Sequence, residues 1–204
     1  MNASLSEPVV PRASFECSAA RSEELPSRGT GEYCLLGRSN VGKSSFLNHL
    51  FADNSLAKVS SRPGKTVLIN LFSLQSGERW VDLPGYGYAQ VAKGEQRRIA
   101  GLLDAYLTQR KELRGVIWLL DSRHVGLAAD RDVAGWLLQR DLPVLAVLTK
   151  CDKLSRSACA RALDSHARIL HLSRPAVVYS IREQRCRFRF WEAYCRWRDS
   201  AKEL

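Results

Sequence analysis

With 204 residues and 45% hydrophobic side chains, the chain is long enough to bury one good core and short for two, so a single domain is expected. Its longest apolar run, residues 142–148 with Pro143 inside it, falls far short of the roughly 20 residues that span a bilayer, and the N-terminal stretch lacks the basic and apolar regions of a secretory signal. The formal charge is +10, and from Ser155 onward 11 Lys or Arg stand against 5 Asp or Glu, which points to nucleic acid or an anionic membrane as partner, or to a basic face that is merely solvated.

Residues 1–30 are rich in Ser, Glu and Pro without periodicity and are predicted to be a loosely packed lead-in, with the folded domain running over 31–204. Strand-length apolar runs then recur at 33–36, 67–74, 80–83, 115–120, 144–148 and 176–179, most of them too continuously apolar for one-sided antiparallel strands. Between them lie helical patterns at 43–51, 94–113, 130–140, 157–170 and 187–202, with Asp130 as an N-cap. The alternation predicts an α/β fold: a mostly parallel six-stranded sheet with helices on both faces and ligands at the carboxyl ends of the strands. The six cysteines lack the close pairs of zinc or redox motifs, so buried thiols and a cytoplasmic location are expected.

The first run leads into "GRSNVGKSS". Gly37, four residues, then Gly42, Lys43 and Ser44, with a strand before and an amphipathic helix after, is the spacing of a phosphate-binding loop. Glycines let main-chain N–H groups wrap phosphate oxygens at a helix N-terminus, Lys43 neutralises β and γ charge, and the Ser44 hydroxyl suits Mg²⁺. A nucleoside triphosphate is the expected ligand. Downstream, Thr66 in "SRPGKTVLINLF" is the candidate for a second contact to Mg²⁺ and the γ-phosphate. In "WVDLPGYG" a strand ends in Asp82, placed to reach Mg²⁺ through a water, and Gly85 offers its N–H to the γ-phosphate. Lys43, Thr66 and Gly85 are therefore the candidate catalytic groups.

"LTKCDK" selects the base. Asp152 can accept two hydrogen bonds from guanine, from N1–H and the exocyclic amine, a pair that adenine does not present. A buried site built for such bonds rejects the analogue lacking them by about 10⁴-fold or more, so GTP is favoured over ATP. Lys150 is expected along the base and the phosphate loop.

The stretches "GRSNVGKSS", "RPGKTVLINLF", "VDLPGYGYA", "LLDSRH" and "LPVLAVLTKCDKLS" together closely resemble the EngB-type GTPases, also named the YihA/YsxC group, of the TrmE-Era-EngA-like branch. The lead-in "SFECSAARSEELP" is similar to that family's N-terminal segment, so the resemblance covers about residues 13–180. It implies a Ras-like G domain that binds GTP or GDP with Mg²⁺, assists assembly of the large ribosomal subunit by contact with that subunit or its RNA, and is needed for normal cell division and septation. A monomer without a DNA partner is expected. Carried over by position, Gly37, Arg38, Ser39, Asn40, Val41, Gly42, Lys43, Ser44 and Ser45 bind the phosphates and Thr66 binds the metal. Asp82, Leu83, Pro84 and Gly85 line the γ-phosphate side; Thr149, Lys150, Cys151 and Asp152 take the base; Tyr179, Ser180 and Ile181 form the last guanine loop. Two departures stand out. Ile181 replaces the family's second Ser and the following turn lacks its Gly, while Cys151 stands where a smaller residue such as Ala is usual and is read as close packing beside the base.

Tyr86 occupies the position where Ras-type enzymes carry a Gln that positions the attacking water; it has no amide, so unaided turnover is expected on the order of 10⁻³ s⁻¹ or lower. Asn40 has two readings: a holder of K⁺, whose charge stabilises the transition state, or a residue hydrogen-bonded within its own loop. In "RCRFRFWEAYCRWRD", helical spacing puts Phe190, Trp191, Tyr194 and Cys195 on the face docked to the sheet and leaves the arginines, Arg187 and Arg196 among them, for ribosomal RNA. Competing classes are a nucleotide-gated scaffold of the division machinery with a protein partner, and a P-loop small-molecule kinase, which Asp152 disfavours.

Overall fold

The computed structural model describes residues 10–27, 31–58, 68–87 and 92–201. One sheet holds seven strands, β1 (Ala13–Ala19), β2 (Glu32–Gly37), β3 (Ile69–Leu74), β4 (Arg79–Asp82), β5 (Leu113–Asp121), β6 (Val144–Thr149) and β7 (Val177–Val178), in the order β1-β3-β4-β2-β5-β6-β7. The pairs β4-β2, β2-β5, β5-β6 and β6-β7 are parallel, whereas β3 runs antiparallel to both β1 and β4. Five helices cover it: α1 (Lys43–Leu50), α2 (Lys93–Gln109), α3 (Ala128–Leu138), α4 (Arg156–Ile169) and α5 (Gln184–Ala201). Among the described residues no helix is long and apolar enough to cross a membrane.

Strand alternation sorts the helices into layers. From β2, Tyr33 and Leu35 enter a core shared with Phe46 and Leu47 of α1 and Phe190, Trp191 and Tyr194 of α5, whereas Cys34 and Leu36 enter the opposite core with Ile99, Ala134 and Ala162 of α2, α3 and α4. Burial on both faces is why the central strands read as unbroken apolar runs. Their common parallel direction sends their carboxyl ends, with the loops that come after them, to one edge of the sheet.

Four expectations need correction. The sheet has a seventh strand, because residues 13–19 pair with β3 instead of forming part of a loose lead-in. Two buried arginines tie this segment down: Arg79 binds the Glu16 carboxylate and the Pro26 carbonyl, and Arg110 binds Glu32 and the carbonyls of Leu25 and Pro26. Helix α2 ends at Gln109 rather than 113, since Arg110 turns to extended geometry and Leu113 already belongs to β5. Leu127, not Asp130, precedes α3, and the Asp130 carboxylate accepts from the Tyr86 hydroxyl at 2.8 Å. On α5, Phe190, Trp191 and Tyr194 are buried as expected, but Cys195 is exposed and Trp197 takes its place in the core.

Candidate nucleotide site

The loop of residues 37–45 joins β2 to α1. Gly42 stands at φ +106°, a conformation that glycine adopts readily and side chains do not, and it lets α1 begin directly at Lys43. The N–H groups of that first turn have no acceptor within the helix, so helix geometry leaves them for an anion.

Neighbouring segments hold the loop through its main chain. Ser39 N–H donates to the Tyr86 carbonyl (2.9 Å) and Tyr86 N–H to the Gly37 carbonyl (3.3 Å), so the turn after β4 is zipped onto the phosphate loop. Gly85 lies so close that a Cβ on it would sit 2.8 Å from both the Cα and the N of Ser39, and no other residue fits without displacing backbone. Leu83 is buried and its N–H donates to Leu35. Pro84 is half-buried between these anchors. From the other side, Thr149 Oγ1 lies 3.0 Å from the Val41 carbonyl, and Lys150 Nζ donates to the Asn40 carbonyl at 2.6 Å.

Asp82 ends β4 with its carboxyl buried, and Oδ1 has no hydrogen-bond partner among the described residues. Burial raises its pKa while the nearby Lys43 charge opposes the rise; burial likewise lowers the Lys43 pKa, opposed by Asp82. Ser39 Oγ and Arg38 Nε are also buried without partners among the described residues. An open carboxylate oxygen, a desolvated lysine and the half-buried Ser44 and Ser45 at a helix N-terminus form the donor set that a hydrated divalent cation and a polyphosphate complete. The arrangement fits Mg²⁺. Thr66 lies outside the described residues.

At the base end, Asp152 Oδ1 accepts from the Ser180 hydroxyl (2.9 Å), whose oxygen in turn accepts from Arg182 N–H (3.1 Å). Its Oδ2 is left towards solvent-side cations, 3.4 Å from Arg182 Nε and 3.9 Å from Lys153 Nζ. Ser180 thus orients the aspartate. Tyr179 reaches the site only through its main chain: its carbonyl accepts from Cys151 N–H, while its ring is buried against Phe46 and its hydroxyl pairs with His49 Nδ1 at 2.7 Å. Ile181 is half exposed beside Ser180. The Cys151 thiol donates to the Leu148 carbonyl (3.0 Å), and burial pushes its pKa up to about 12, so it packs rather than reacts.

Two residues at the site carry more than their sequence signal suggested. Asp121, at the carboxyl end of β5, accepts from Lys150 Nζ at 2.8 Å and from Arg123 at 2.8 and 2.9 Å. Burial acts to raise its pKa, but these bonds hold the carboxyl well below the usual carboxylate range. Its signal was available: a charged residue closing an apolar strand, as Asp82 does. Tyr86, next to Gly85, turns inward. Its hydroxyl donates to Asp130 (2.8 Å) and accepts from Trp118 Nε1 (2.7 Å), and burial, with the Asp130 charge, raises its pKa well above the ordinary value. Asn40 stands at φ +61° and its side chain makes no hydrogen bond among the described residues, so the loop-internal bond is not found there.

Comparison with known proteins places this geometry. Residues 32–150 match the family model described as 50S ribosome-binding GTPase. The chain is 41% identical over 177 residues, 86% of its length and 90% of the other's, to a probable GTP-binding protein EngB of Limosilactobacillus reuteri. It is 46% identical over 158 residues, 78% of this chain and 73% of the other, to a probable GTP-binding protein EngB of Aromatoleum aromaticum. In fold it is similar to the crystal structure of a probable GTP-binding protein EngB, with TM-score 0.63 and 20% identity over 79% of this chain and 97% of that one. It is similar too to Era in complex with MgGDPNP and nucleotides 1506–1542 of 16S ribosomal RNA, with TM-score 0.58 and 20% identity over 74% of this chain and 51% of that one.

Proposed function

Because the chain belongs to the EngB family of GTP-binding proteins, within the 50S ribosome-binding GTPases, we propose that it is a slow GTPase acting as an assembly factor for the large ribosomal subunit. It binds GTP and hydrolyses it to GDP and phosphate. The cellular role that goes with this reading is support of normal division and septation from the cytoplasm, with a contact to the large subunit or its RNA.

One observation carries the guanine reading: Asp152 is held by Ser180 on one side while Lys150, next but one in sequence, is locked to the phosphate loop at Asn40. The Lys150 bond thus ties the guanine motif directly to the phosphate cradle. With GTP bound, the N–H groups at the start of α1 and the Lys43 ammonium face the β- and γ-phosphates, and Gly85 N–H approaches the γ-phosphate. Ser44, Asp82 through a water, and Thr66 would hold Mg²⁺, which when bound draws charge from the phosphate oxygens. Water must then attack the γ-phosphorus in line with the departing GDP. The side chain after Gly85 gives no help, because Tyr86 is anchored to Asp130 and Trp118, and this supports turnover on the order of 10⁻³ s⁻¹ or lower until the partner assists. K⁺, held by Asn40, is the further cation that this reading places near the phosphates.

Phosphate release by the isolated chain at saturating GTP, in K⁺ and then in Na⁺ at equal ionic strength, tests both points. Turnover of several per second removes the slow-switch reading, and equal rates remove K⁺. Co-sedimentation of the GTP-bound chain with large ribosomal subunits tests the partner. A chain that stays in the supernatant at every salt concentration overturns the assembly role.

A further inference from the structure

Arg38 belongs to the phosphate loop by its main chain, but its side chain is turned towards the turn after β4 and the start of α3. Its main chain pairs in parallel with Tyr86, and its side chain lies against Gly87, where a Cβ would stand 3.3 Å from Arg38 Nε and 3.5 Å from the Ala129 Cβ. Gly87 takes φ +71°, so the chain passes between Arg38 and the first turn of α3 in a conformation that suits glycine. Arg38 Nε is buried there without a hydrogen-bond partner among the described residues. The Asp130 carboxylate, 2% exposed, accepts from the Tyr86 hydroxyl. Burial raises its pKa, the Tyr86 bond and the Arg38 charge oppose the rise, and Asp121 adds to it. Arg38 thus brings the positive charge that a buried carboxylate needs.

We propose that the Arg38 side chain is a positioning group that favours GTP over GDP by holding the turn that carries Gly85, a step that rests on the γ-phosphate contact proposed for Gly85 above. That turn has two supports beyond its main-chain bonds to the phosphate loop. One is Gly87, packed between Arg38 and Ala129; the other is the Tyr86 hydroxyl, anchored on the carboxylate whose charge Arg38 balances. Without the guanidinium, Asp130 keeps its charge against burial with the Tyr86 bond alone, and it either takes up a proton or withdraws towards water. The turn then loses an anchor, and the Gly85 N–H loses its aim. The phosphates that GDP and GTP share fall to the first-turn N–H groups of α1 and to Lys43, so a loosened turn weakens GTP selectively. A guanidinium that touched the shared phosphates itself would weaken both nucleotides, and the burial of Nε beside Gly87 speaks against it.

Affinities of the full chain for fluorescent GDP and for a fluorescent, non-hydrolysable GTP analogue, both with Mg²⁺, provide the test. The variants are R38M, which keeps a stem against Gly87 and removes the charge, D130N, which keeps an acceptor for the Tyr86 hydroxyl, and R38M/D130N, which closes the cycle. If R38M lacks the near-UV circular dichroism of wild type, R38Q takes its place in both. The ratio of analogue affinity to GDP affinity should fall about tenfold in R38M. In R38M/D130N it should return to within about threefold of wild type, because a neutral amide needs no counter-charge; a merely destabilising change at Arg38 would not be rescued in this way. Equal losses for GDP and the analogue, an unchanged ratio in R38M, or a double variant no better than R38M overturns the proposal. Hydrogen exchange of the wild-type segment around Gly85 tests the premise separately. No added protection by the analogue over GDP removes the Gly85 contact itself, whereas added protection with a ratio indifferent to Arg38 removes this inference alone.

Discussion

The Nζ of Lys150 donates to the main-chain carbonyl of Asn40 at 2.6 Å, which joins the guanine motif to the phosphate loop across 110 residues of sequence. Asp121 sets that lysine in place by accepting from the same ammonium at 2.8 Å. Asp121→Asn removes the charge on which Lys150 and Arg123 converge. A hydrogen bond to a charged group contributes about 1.5–3 kcal/mol, and Lys150 is solvated enough to recover part of it, so the lower end applies. GDP and GTP should both be released about tenfold faster in stopped-flow measurements. Preference for guanine over adenine should stand, since Asp152 keeps Ser180. Unchanged release would show that Asn40 and its loop hold position without the lysine.

Tyr86 offers a sharper separation of structure from chemistry. In Tyr86→Phe the Asp130 carboxylate loses a buried donor and Trp118 Nε1 a buried acceptor, which should cost about 1–3 kcal/mol in urea unfolding. Tyr86→Gln supplies the amide of Ras-type enzymes at the right position in sequence but the wrong one in space. The residue's main chain is fixed by Gly37 and Ser39, and its side chain points under α3. Hydrolysis by the Gln variant should therefore stay within about tenfold of wild type, far from the roughly 10⁵-fold that full assistance provides. A rise of two orders of magnitude or more in phosphate release would show that the tyrosine side chain swings into the site.

The central sheet was readable because it is buried on both faces: β2, β4, β5 and β6 display as apolar runs, with Asp82 closing β4 and Asp152 in the turn just after β6. Strand β1 was not readable. Ala13–Ala19 is an edge strand with polar Ser14, Glu16 and Ser18, and what fixes it lies far away, in the β3 ladder and in Arg79, which holds Glu16. Side-chain direction was equally hidden. The order "PGYG" puts a tyrosine after Gly85 without revealing that its hydroxyl finds partners 32 and 44 residues on, and Asp130 reads as a helix cap until Tyr86 is seen to occupy it. Such pairings are set by packing between elements, for which local spacing carries no signal.

His166 on α4 is fully buried, and both ring nitrogens lack partners among the described residues. Burial lowers its pKa, opposed in part by Asp121; burial and the Arg187 charge lower that of His49. The folded state therefore binds these protons less readily than the unfolded chain, whose histidines titrate near 6.5. Stability from both groups is complete above that value and is lost as pH falls below it, because the unfolded chain takes up protons first. Urea midpoints should fall between about pH 7.5 and pH 5.5, and His166→Leu should flatten part of that slope, leaving the share of His49. A midpoint independent of pH in the wild type would mean that His166 finds an acceptor in solution.

Asp82 sets stability against function. Its pKa is raised even with the Lys43 charge counted, so the folded chain holds this carboxylate in its ionised form at a net cost. A raised folded pKa means that the folded state binds this proton more tightly than the unfolded chain does, and the cost grows as pH rises through the folded value. Asp82→Asn removes the charge and keeps the shape, so without nucleotide the melting temperature should rise, by about 2–4 °C for each 1 kcal/mol relieved in a chain of this size. With Mg²⁺ and GTP present the order should reverse. The carboxylate that is a burden alone becomes the anchor for the hydrated cation, and its loss should lower phosphate release by about 10²-fold or more while removing most of the stabilisation that Mg²⁺ adds to the nucleotide-bound protein. Melting curves with and without Mg²⁺-GTP check both halves, and a variant less stable in both states would show that Lys43 depends on Asp82 more than Asp82 costs the fold.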